Sequence, residues 1–558
     1  MHARKSIGGR LVLLASLVLF PACHADENDP AGQAKELSDP VRREYATGNL
    51  QRLYTSALGQ HGGDRNAPPV KAIADASVEQ LVKTYVDHPE DTQNGTHIIR
   101  LLAEMRDPRA LPAFLQALKW RAEVNEEHAQ TAAEVLPKIQ WSEAQKSQIV
   151  QALGEALERV TGARGADNRM RNAFIRALGD FGDKAAVPAL TTIALRQSEE
   201  QNFLFNRLAI EQLGKIGDPA SVPTFLKGLV LFSPSNPGMR VNDVAAEALV
   251  RIGRPAFQPL VDMMEGKNDE VNALARAYIE AVRQRDPNAA KQMSPRMVTG
   301  AEASFALGAL GFPEALEPLL KEAASSDYAR RLNAAIATAR LDVTGDRLEQ
   351  VRALLQDVYK AAEEPAHKAQ MLAVMRHLYN PDLIPFFMEV AKDTANEHPV
   401  VRLKAVEAVA LLADKGEATA LLAHIEGAGS DPYRDDYKKE HASSLQAAVE
   451  CDTDLACWTK KLEDSDKAVV RKAVYMLGRL GRGKDAAIKA LVSKLDSSDL
   501  QVRLAVVAAL DRIAVKGSPE AVEVIDGLRE KEQGQSIWNN FSREALPVQA
   551  RLRNRSGK

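Results

Sequence analysis

The feature that most constrains the fold of this chain is a motif that recurs at a nearly constant spacing. The segment Ala173-Phe-Ile-Arg-Ala-Leu-Gly-Asp-Phe-Gly-Asp-Lys-Ala-Ala-Val-Pro-Ala-Leu190 returns with its turn glycine moved by 35 residues, from Gly182 to Gly217. A third copy places Gly253 another 36 residues along the chain. A repeat of this length is one supersecondary unit that cannot bury its apolar face alone. The chain must therefore stack such units against one another.

Weaker copies extend the pattern over most of the chain. They begin at Ile98, Phe305, Val401, Val470 and Val502. Each copy carries an apolar stripe at helical spacing, a Gly or Pro break, and then a second apolar stripe. The break suits a left-handed glycine that ends one helix, as at Gly217, and a proline that starts the next, as at Pro219. The repeating unit is therefore predicted to be a helical hairpin.

The repeated lines resemble HEAT repeats, in particular the subclass that is similar to repeats of phycobilisome lyases. Asp466-Lys-Ala-Val-Val-Arg471 and Asp499-Leu-Gln-Val-Arg503 resemble the opening Asp-x-x-Val-Arg of that pattern, and Leu213-Gly-Lys-Ile-Gly-Asp-Pro219 resembles its end. The resemblance covers roughly residues 98–528. It implies an all-α fold, an α-solenoid or superhelix of about 13 stacked hairpins.

The repeats divide the chain into segments. They are a signal peptide (1–22), a spacer (23–69), degenerate helical repeats (70–160), the HEAT-repeat array (161–535) and a C-terminal tail (536–558). The tail ends in Arg551-Leu-Arg-Asn-Arg-Ser-Gly-Lys558, and a brief basic end of this kind is typical of a frayed terminus. Insertions between repeats, as at 231–239 and 426–437, are expected as surface loops that either contact a partner or are tolerated excursions.

The N-terminus has the pattern of an export signal. Basic residues precede the ten-residue apolar run 11–20, which is too short to span a bilayer. The run ends at Pro21-Ala-Cys23, which resembles the lipobox of bacterial lipoproteins, in which the mature chain begins with an acylated cysteine. This resemblance implies a lipid on Cys23 that anchors the protein to a membrane, whereas ordinary cleavage near Ala25 would discard Cys23. Both interpretations place the mature chain in the cell envelope or periplasm.

The other two cysteines of the chain, Cys451 and Cys457, lie six residues apart. They fall where a hairpin turn is expected, in a copy that lacks the Gly-Asp-Pro turn. In an oxidising compartment they would form a disulfide that clamps the two helices, with Asp454 as the N-cap of the second helix. A redox-active pair or a metal site are the alternatives, although active dithiols are usually closer, as Cys-x-x-Cys, and no histidine neighbours this pair.

No motif of a common enzyme class is complete in the sequence. The stretch from Gly478 to Asp485 imitates a phosphate-binding P-loop, but Asp485 replaces the Ser or Thr that would hold magnesium. The histidines, among them His367 and His377, show no metal-binding spacing, and the Gly-x-Ser-x-Gly of many hydrolases is missing. We therefore predict no enzyme activity, no cofactor and no metal site, and place the two histidines at solvent or core positions.

Arginines recur near the starts of the first helices of the copies. They are Arg171, Arg207, Arg330, Arg402, Arg471 and Arg503. With acids such as Asp327, Asp466 and Asp499, these arginines could form a ladder of ion pairs between neighbouring hairpins. The alternative interpretation is a basic stripe that binds a partner.

Charge and repeats together favour a binding scaffold. The chain has 72 basic and 75 acidic side chains, so it offers no broad cationic surface and we predict no nucleic-acid partner. An exported solenoid offers instead a long concave surface to a protein or peptide. Two alternatives stay open. One is an enzyme of the lyase-like class, since the resemblance implies relatives that act on bilin chromophores. The other is recognition of cell-wall glycan or lipid. That function needs exposed aromatic side chains, and only 5% of the residues of this chain are aromatic.

Overall fold

The structure is a computed structural model that describes residues 25–196, 201–427, 431 and 433–557. Contacts divide the chain into two compact units, Met1–Ser142 and Glu143–Lys558. The predicted signal peptide and Cys23 lie outside the described residues. The predicted all-α solenoid is confirmed, because paired helices follow one another along the described chain and the strands found there form one short hairpin.

The first unit consists of helices of 7 to 20 residues that pack around a core of their own. They are α1 (Pro30–Glu36), α2 (Arg43–Gln60), α3 (Pro68–Asp87), α4 (Thr92–Met105), α5 (Leu111–Ala117) and α6 (Glu126–Val135), with single 3-10 turns at Pro108–Ala110 and Leu136–Lys138. The helices α1 and α2 fall in the segment that the sequence assigns to a spacer, yet α2 buries Leu50 and Tyr54. Asp91 begins α4 by accepting a hydrogen bond from the N–H of Asn94.

The second unit contains the long array of hairpins. Its helices are α7 (Glu143–Glu158), α8 (Gly165–Phe181), α9 (Val187–Leu195), α10 (Leu204–Ile216), α11 (Val222–Val230), α12 (Asn242–Ile252), α13 (Arg254–Met264), α14 (Asp269–Arg285), α15 (Pro287–Ala290), α16 (Pro295–Leu310), α17 (Leu316–Ala323), α18 (Tyr328–Thr338), α19 (Asp346–Ala361), α20 (Pro365–Arg376), α21 (Ile384–Lys392), α22 (Pro399–Leu412), α23 (Lys415–Gly427), α24 (Arg434–Cys451), α25 (Leu455–Lys461), α26 (Lys467–Leu480), α27 (Asp485–Val492), α28 (Leu500–Ile513), α29 (Pro519–Glu532) and α30 (Ser536–Ser556). Single 3-10 turns lie at Lys184–Ala186, Pro219–Ser221, Pro313–Ala315 and Pro381–Leu383. Across both units, the helices described here include none that is long and apolar enough to cross a bilayer.

The pair α10 and α11 shows why the repeated line folds as a hairpin. Gly217 ends α10 in the left-handed conformation, with φ of 70°, which a residue without a Cβ adopts without strain. Asp218 then accepts a hydrogen bond from the N–H of Ala220, and the chain turns into α11. Neighbouring hairpins approach closely, since a Cβ added to Gly214 would lie 2.9 Å from the Cβ of Ala248.

The hairpins of the second unit stack in two rows. Their first helices contact one another in succession, as α10 with α12, α16 with α18, α20 with α22 and α26 with α28. The second helices form the other row, as α9 with α11 and α25 with α27. We call the row of first helices the inner row, because the last helix of the chain, α30, packs against it through α12, α16 and α28.

The described part of the predicted tail, residues 536–557, is therefore not the frayed end that the sequence suggests. Trp538, Phe541 and Leu552 of α30 are buried, and Leu552 stands among the basic residues on which the sequence prediction rests. Asn554 Nδ2 donates a 2.6 Å hydrogen bond to the carbonyl of Val250. Burial of an apolar face outweighs the entropy of a loose end, and α30 covers part of the concave surface expected for a partner.

The insertion predicted as a loop at 231–239 is a small β-hairpin. Strand β1 (Phe232–Ser233) pairs antiparallel with β2 (Asn236–Arg240). Phe232 packs against the Tyr278 ring, with the ring centroids 5.4 Å apart, and Arg240 forms a 2.8 Å ion pair with Glu302. These contacts fix the insertion to the array. In the other insertion, 426–437, residues 428–430 and 432 lie outside the described part of the chain.

Candidate functional site

The two cysteines predicted to pair lie in the turn between α24 and α25. A disulfide joins Cys451 to Cys457, with their Cα atoms 5.4 Å apart. Asp454 accepts hydrogen bonds from the N–H groups of Ala456 and Cys457, at 2.8 and 3.3 Å, and so caps α25. The adjoining Trp458 is fully buried and donates to the carbonyl of Asp452. The cysteine pair therefore lies at the junction of α24 and α25.

The arginine ladder forms, but mostly with acids other than those named from the sequence. Arg207 pairs with Asp243, Arg330 with Glu322, Arg402 with Asp431, Arg471 with Glu407 and Arg503 with Glu532, at distances between 2.5 and 3.8 Å. Arg171 instead donates to the carbonyls of Val160 and Gly162. The acids Asp327, Asp466 and Asp499 accept from backbone N–H groups at the starts of α18, α26 and α28. They act as N-caps, because the first N–H groups of a helix have no partner within it.

A cavity of about 380 Å³ lies in the second unit between α30 and the inner row. We call it the central cavity. It is lined by residues of α16, α18, α20, α22, α26, α28 and α30, and by the turns after α18 and α20. Ile336, Val374, Leu504 and Val548 supply apolar wall from four different helices. A partly apolar cavity of this volume is within the range of small-molecule sites in proteins.

The charged groups of the central cavity are mostly arginines. They are Arg340, Arg376, Arg471, Arg512, Arg551 and Arg555. The carboxylates that line it are Asp342, Glu407, Asp511 and Glu544. Six guanidinium groups against four carboxylates leave an excess of two positive charges in the lining. Such an excess inside a protein favours an anion.

Ion pairs account for several of these arginines. Arg376 Nη1 lies 2.8 Å from Glu407 Oε1, and Arg340 Nη2 lies 2.8 Å from Glu544 Oε2. Arg551 and Arg555 share one partner, since both contact the carboxylate of Asp511. Arg512 differs from them, because no carboxylate in the described chain forms an ion pair with it.

Three rings lie together at one side of the central cavity. The ring of Tyr475 is 5.5 Å from that of Tyr379 and 5.7 Å from that of His377, measured between centroids. Tyr379 is only 4% exposed, and its hydroxyl has no hydrogen-bond partner among the described residues. Its ring passes over Gly478, where a Cβ would lie 2.5 Å from Tyr379 Cε1. The glycine of the false P-loop therefore makes room for this tyrosine.

Burial and nearby charges set the protonation states in the central cavity. Burial lowers the pKa of His377 to about 3, and Arg376 and Arg340 act in the same direction, so this histidine is neutral at pH 7. Burial opposes ionisation of Glu407, yet Arg376 and its other basic neighbours hold the pKa of that carboxyl at about 2. Burial also raises the pKa of Tyr379 and Tyr475, which keep their protons. At neutral pH the cavity is rich in hydrogen-bond donors.

Comparison with known proteins identifies the repeated unit. A family model described as HEAT repeats matches residues 155–231 and 455–537. The helical hairpins of these two segments are similar to HEAT repeats. Both matches fall within the second unit, and the second match begins at Leu455, so that it includes Cys457 but not Cys451. No curated protein matches the chain.

Solved structures of three proteins are similar to this chain at low identity. Kap95p, in a structure with RanGDP, is 13% identical over 93% of this chain and 83% of its own, with a TM-score of 0.29. Kap121p is 14% identical over 84% of this chain and 48% of its own, with a TM-score of 0.30. An engineered protein is 18% identical over 94% of this chain and 99% of its own, with a TM-score of 0.17.

Tyr379 is the cavity residue that the sequence prediction missed most clearly. It stands at the position where the α10–α11 hairpin has Gly217, since Tyr379-Asn-Pro381 replaces Gly217-Asp-Pro219. Its φ is 51°, a left-handed value that is uncommon for a residue with a Cβ. A tyrosine in a turn that favours glycine is the sequence signal that could have pointed to this site. His377, predicted at a solvent or core position, lines the same cavity.

Proposed function

We propose that this protein is an exported HEAT-repeat scaffold of the cell envelope, anchored to a membrane by a lipid on Cys23, that binds a protein or peptide partner. The observation that carries the proposal is the stack of HEAT hairpins, because such an array presents long helical surfaces without needing a catalytic cluster. The apolar run 11–20 and the cysteine after it support export and anchoring.

We place the partner on the parts of the array that α30 does not cover. Because α30 packs on α12, α16 and α28, it covers part of the inner row of the second unit. Leu204, at the start of α10, and Val400, at the start of α22, are large apolar side chains that are 57% and 46% exposed. These two positions at the ends of inner-row helices are suitable for detecting a partner.

The anchoring is tested by fractionating cells that express Cys23→Ser. We expect the variant to leave the membrane fraction, while Cys457→Ser, a matched control elsewhere in the chain, stays with it. Retention of Cys23→Ser on membranes would contradict the lipid anchor.

Export is tested independently by the state of the thiols. If the chain reaches an oxidising compartment, denatured protein from cells labels no thiol at Cys451 or Cys457 until it is reduced. Immediate labelling of both cysteines would count against export and against the disulfide.

Partner binding is tested by a photo-crosslinking amino acid placed at Leu204 or Val400 in intact envelopes. We expect one discrete protein adduct from these sites and none from the exposed Glu523 of α29, which serves as control. If neither Leu204 nor Val400 gives a protein adduct, the proposed partner surface is wrong.

A further inference from the structure

We infer that the central cavity binds a small organic anion, with an apolar ring-bearing body and one carboxylate, sulfonate or phosphate group. This ligand site is separate from the proposed partner surface, and its inference does not depend on export or anchoring. Three properties of the lining support an anion site: its charge, its hydrogen-bond donors and its apolar wall.

The first step is charge. Glu407 is the carboxylate most heavily shared, since Lys404 Nζ lies 2.7 Å from it, Arg376 2.8 Å and Arg471 3.8 Å. One carboxylate therefore faces three cations, and Arg512 across the cavity pairs with no carboxylate in the described chain. Arg512 is half-buried, and an unpaired guanidinium in such a position is stabilised by an anion, which it can bind through two parallel hydrogen bonds.

The second step is the set of unpartnered donors. Tyr379 Oη, Arg376 Nε and Arg551 Nε are buried and have no hydrogen-bond partner among the residues that the structure describes. All three belong to side chains that line the central cavity. Buried donors without partners cost about 1–3 kcal/mol each. Ionised carboxylate, sulfonate and phosphate groups supply hydrogen-bond acceptors to a lining in which unpartnered donors outnumber unpartnered carboxylate oxygens. Among the described residues of the lining, Asp511 Oδ1 is such an oxygen, and it lies 3.2 Å from Arg555 Nη2.

The third step is the apolar wall, which distinguishes an organic anion from an inorganic one. Ile336, Val374, Leu504 and Val548 contribute aliphatic surface, and the Tyr475 ring adds an aromatic face. Inorganic phosphate would contact the arginines and leave this surface unused. A ligand with a ring attached to the anionic group contacts both, and about 380 Å³ accommodates two or three fused or linked rings.

The test uses two fluorescent probes that differ in a single group. The probe 1-anilinonaphthalene-8-sulfonate carries one sulfonate, and N-phenyl-1-naphthylamine is the same ring system without it. We expect the full-length protein to bind one equivalent of the anionic probe at least about tenfold more tightly than the neutral one, the ratio that one charge-assisted contact provides. Equal affinity for the two probes, or no saturable binding of either, overturns the inference.

Three variants locate the binding. Arg512→Gln should weaken the anionic probe about tenfold and leave the neutral probe unchanged, because it removes the unpaired cation. Ala508→Phe, in the wall contributed by α28, fills the cavity and should abolish binding of both probes. Arg276→Gln on α14, an exposed arginine outside the lining, is the matched control and should change neither affinity.

Two further measurements check that the variants fold and identify the class of anion that binds. Unchanged helical circular dichroism and melting temperature of Arg512→Gln keep that variant interpretable if Ala508→Phe fails to fold. Displacement of the bound anionic probe by 1-naphthoate identifies a carboxylate ligand, and displacement by 1-naphthyl phosphate identifies a phosphate ligand. The uncharged 1-naphthalenemethanol should not displace the anionic probe. Anionic-probe binding that survives both cavity variants would show a different site and overturn the assignment.

Discussion

At the scale of single residues, tertiary contacts override local preference at Tyr379. The left-handed backbone there costs a residue with a Cβ about 1 kcal/mol. Burial of the tyrosine ring against Gly478 and Tyr475 supplies more than that, since an aromatic side chain buries roughly 150–250 Å². A glycine in this turn would remove the strain and also the ring, so the strained residue is kept where the ring lines the central cavity.

The buried histidine His441 makes the stability of the second unit depend on pH. It is 4% exposed, and burial lowers its pKa to about 4, although the nearby Glu407 acts in the opposite direction. Below the ordinary pKa of 6.5, the unfolded chain binds a proton that folded His441 does not, so stability is lost as the pH falls from 6.5 towards 4. At pH 5 this loss amounts to about 2 kcal/mol.

We therefore expect His441→Asn to lose less stability than the wild type between pH 7 and pH 5, as measured by urea unfolding. The matched control is His398→Asn, at an exposed cap of α22 where asparagine also serves as an N-cap. Parallel pH dependence of the wild type and His441→Asn would contradict the assignment of this titration to His441.

At the scale of elements, the hairpins follow from local signals and α30 does not. Glycine at the end of α10, aspartate at the turn and apolar residues at helical spacing all act within a few residues, so the sequence predicts them. The C-terminal helix depends on contacts with α12, α16 and α28, which are distant in sequence. Its basic end resembles a loose tail, and its apolar face has meaning only against those helices.

The role of α30 as part of the fold predicts the effect of Phe541→Ala. Phe541 is fully buried and packs against Trp538, so its truncation should lower the free energy of unfolding by about 3–5 kcal/mol. Asn540→Ala, its exposed neighbour on the same helix, should change that free energy by less than about 0.5 kcal/mol. Chemical unfolding followed by circular dichroism makes the comparison, and equal stabilities would contradict the packing of α30.

At the scale of the whole molecule, the contacts divide the chain between Ser142 and Glu143. The repeat pattern places the start of the array later, at 161, because α7 lacks the clear repeat line. The structure gives α7 a packed position, since it contacts α8 and buries Ile149 and Leu153. The array predicted from the sequence therefore begins 18 residues after the second unit defined by contacts.

This difference predicts how two fragments behave. The fragment 143–558 contains all helices of the second unit, so we expect helical circular dichroism and one cooperative thermal transition. The fragment 161–558 lacks α7 and exposes the apolar face of α8, so we expect a lower melting temperature and increased aggregation. Identical melting of the two fragments would show that α7 contributes nothing to the unit.

The repeating hairpin and its turns can be predicted from the sequence, because they depend on residues within one period of the chain. The N-caps Asp327, Asp466 and Asp499 are different, since the sequence led us to expect them as partners of arginines. Only the tertiary structure decided which acid pairs with each arginine, where α30 lies and which side chains meet in the central cavity. Arg340 and Glu544, for example, are 204 residues apart and come together through the summed rotation of many hairpins. No local pattern encodes that sum, because each hairpin fixes only its angle to the next.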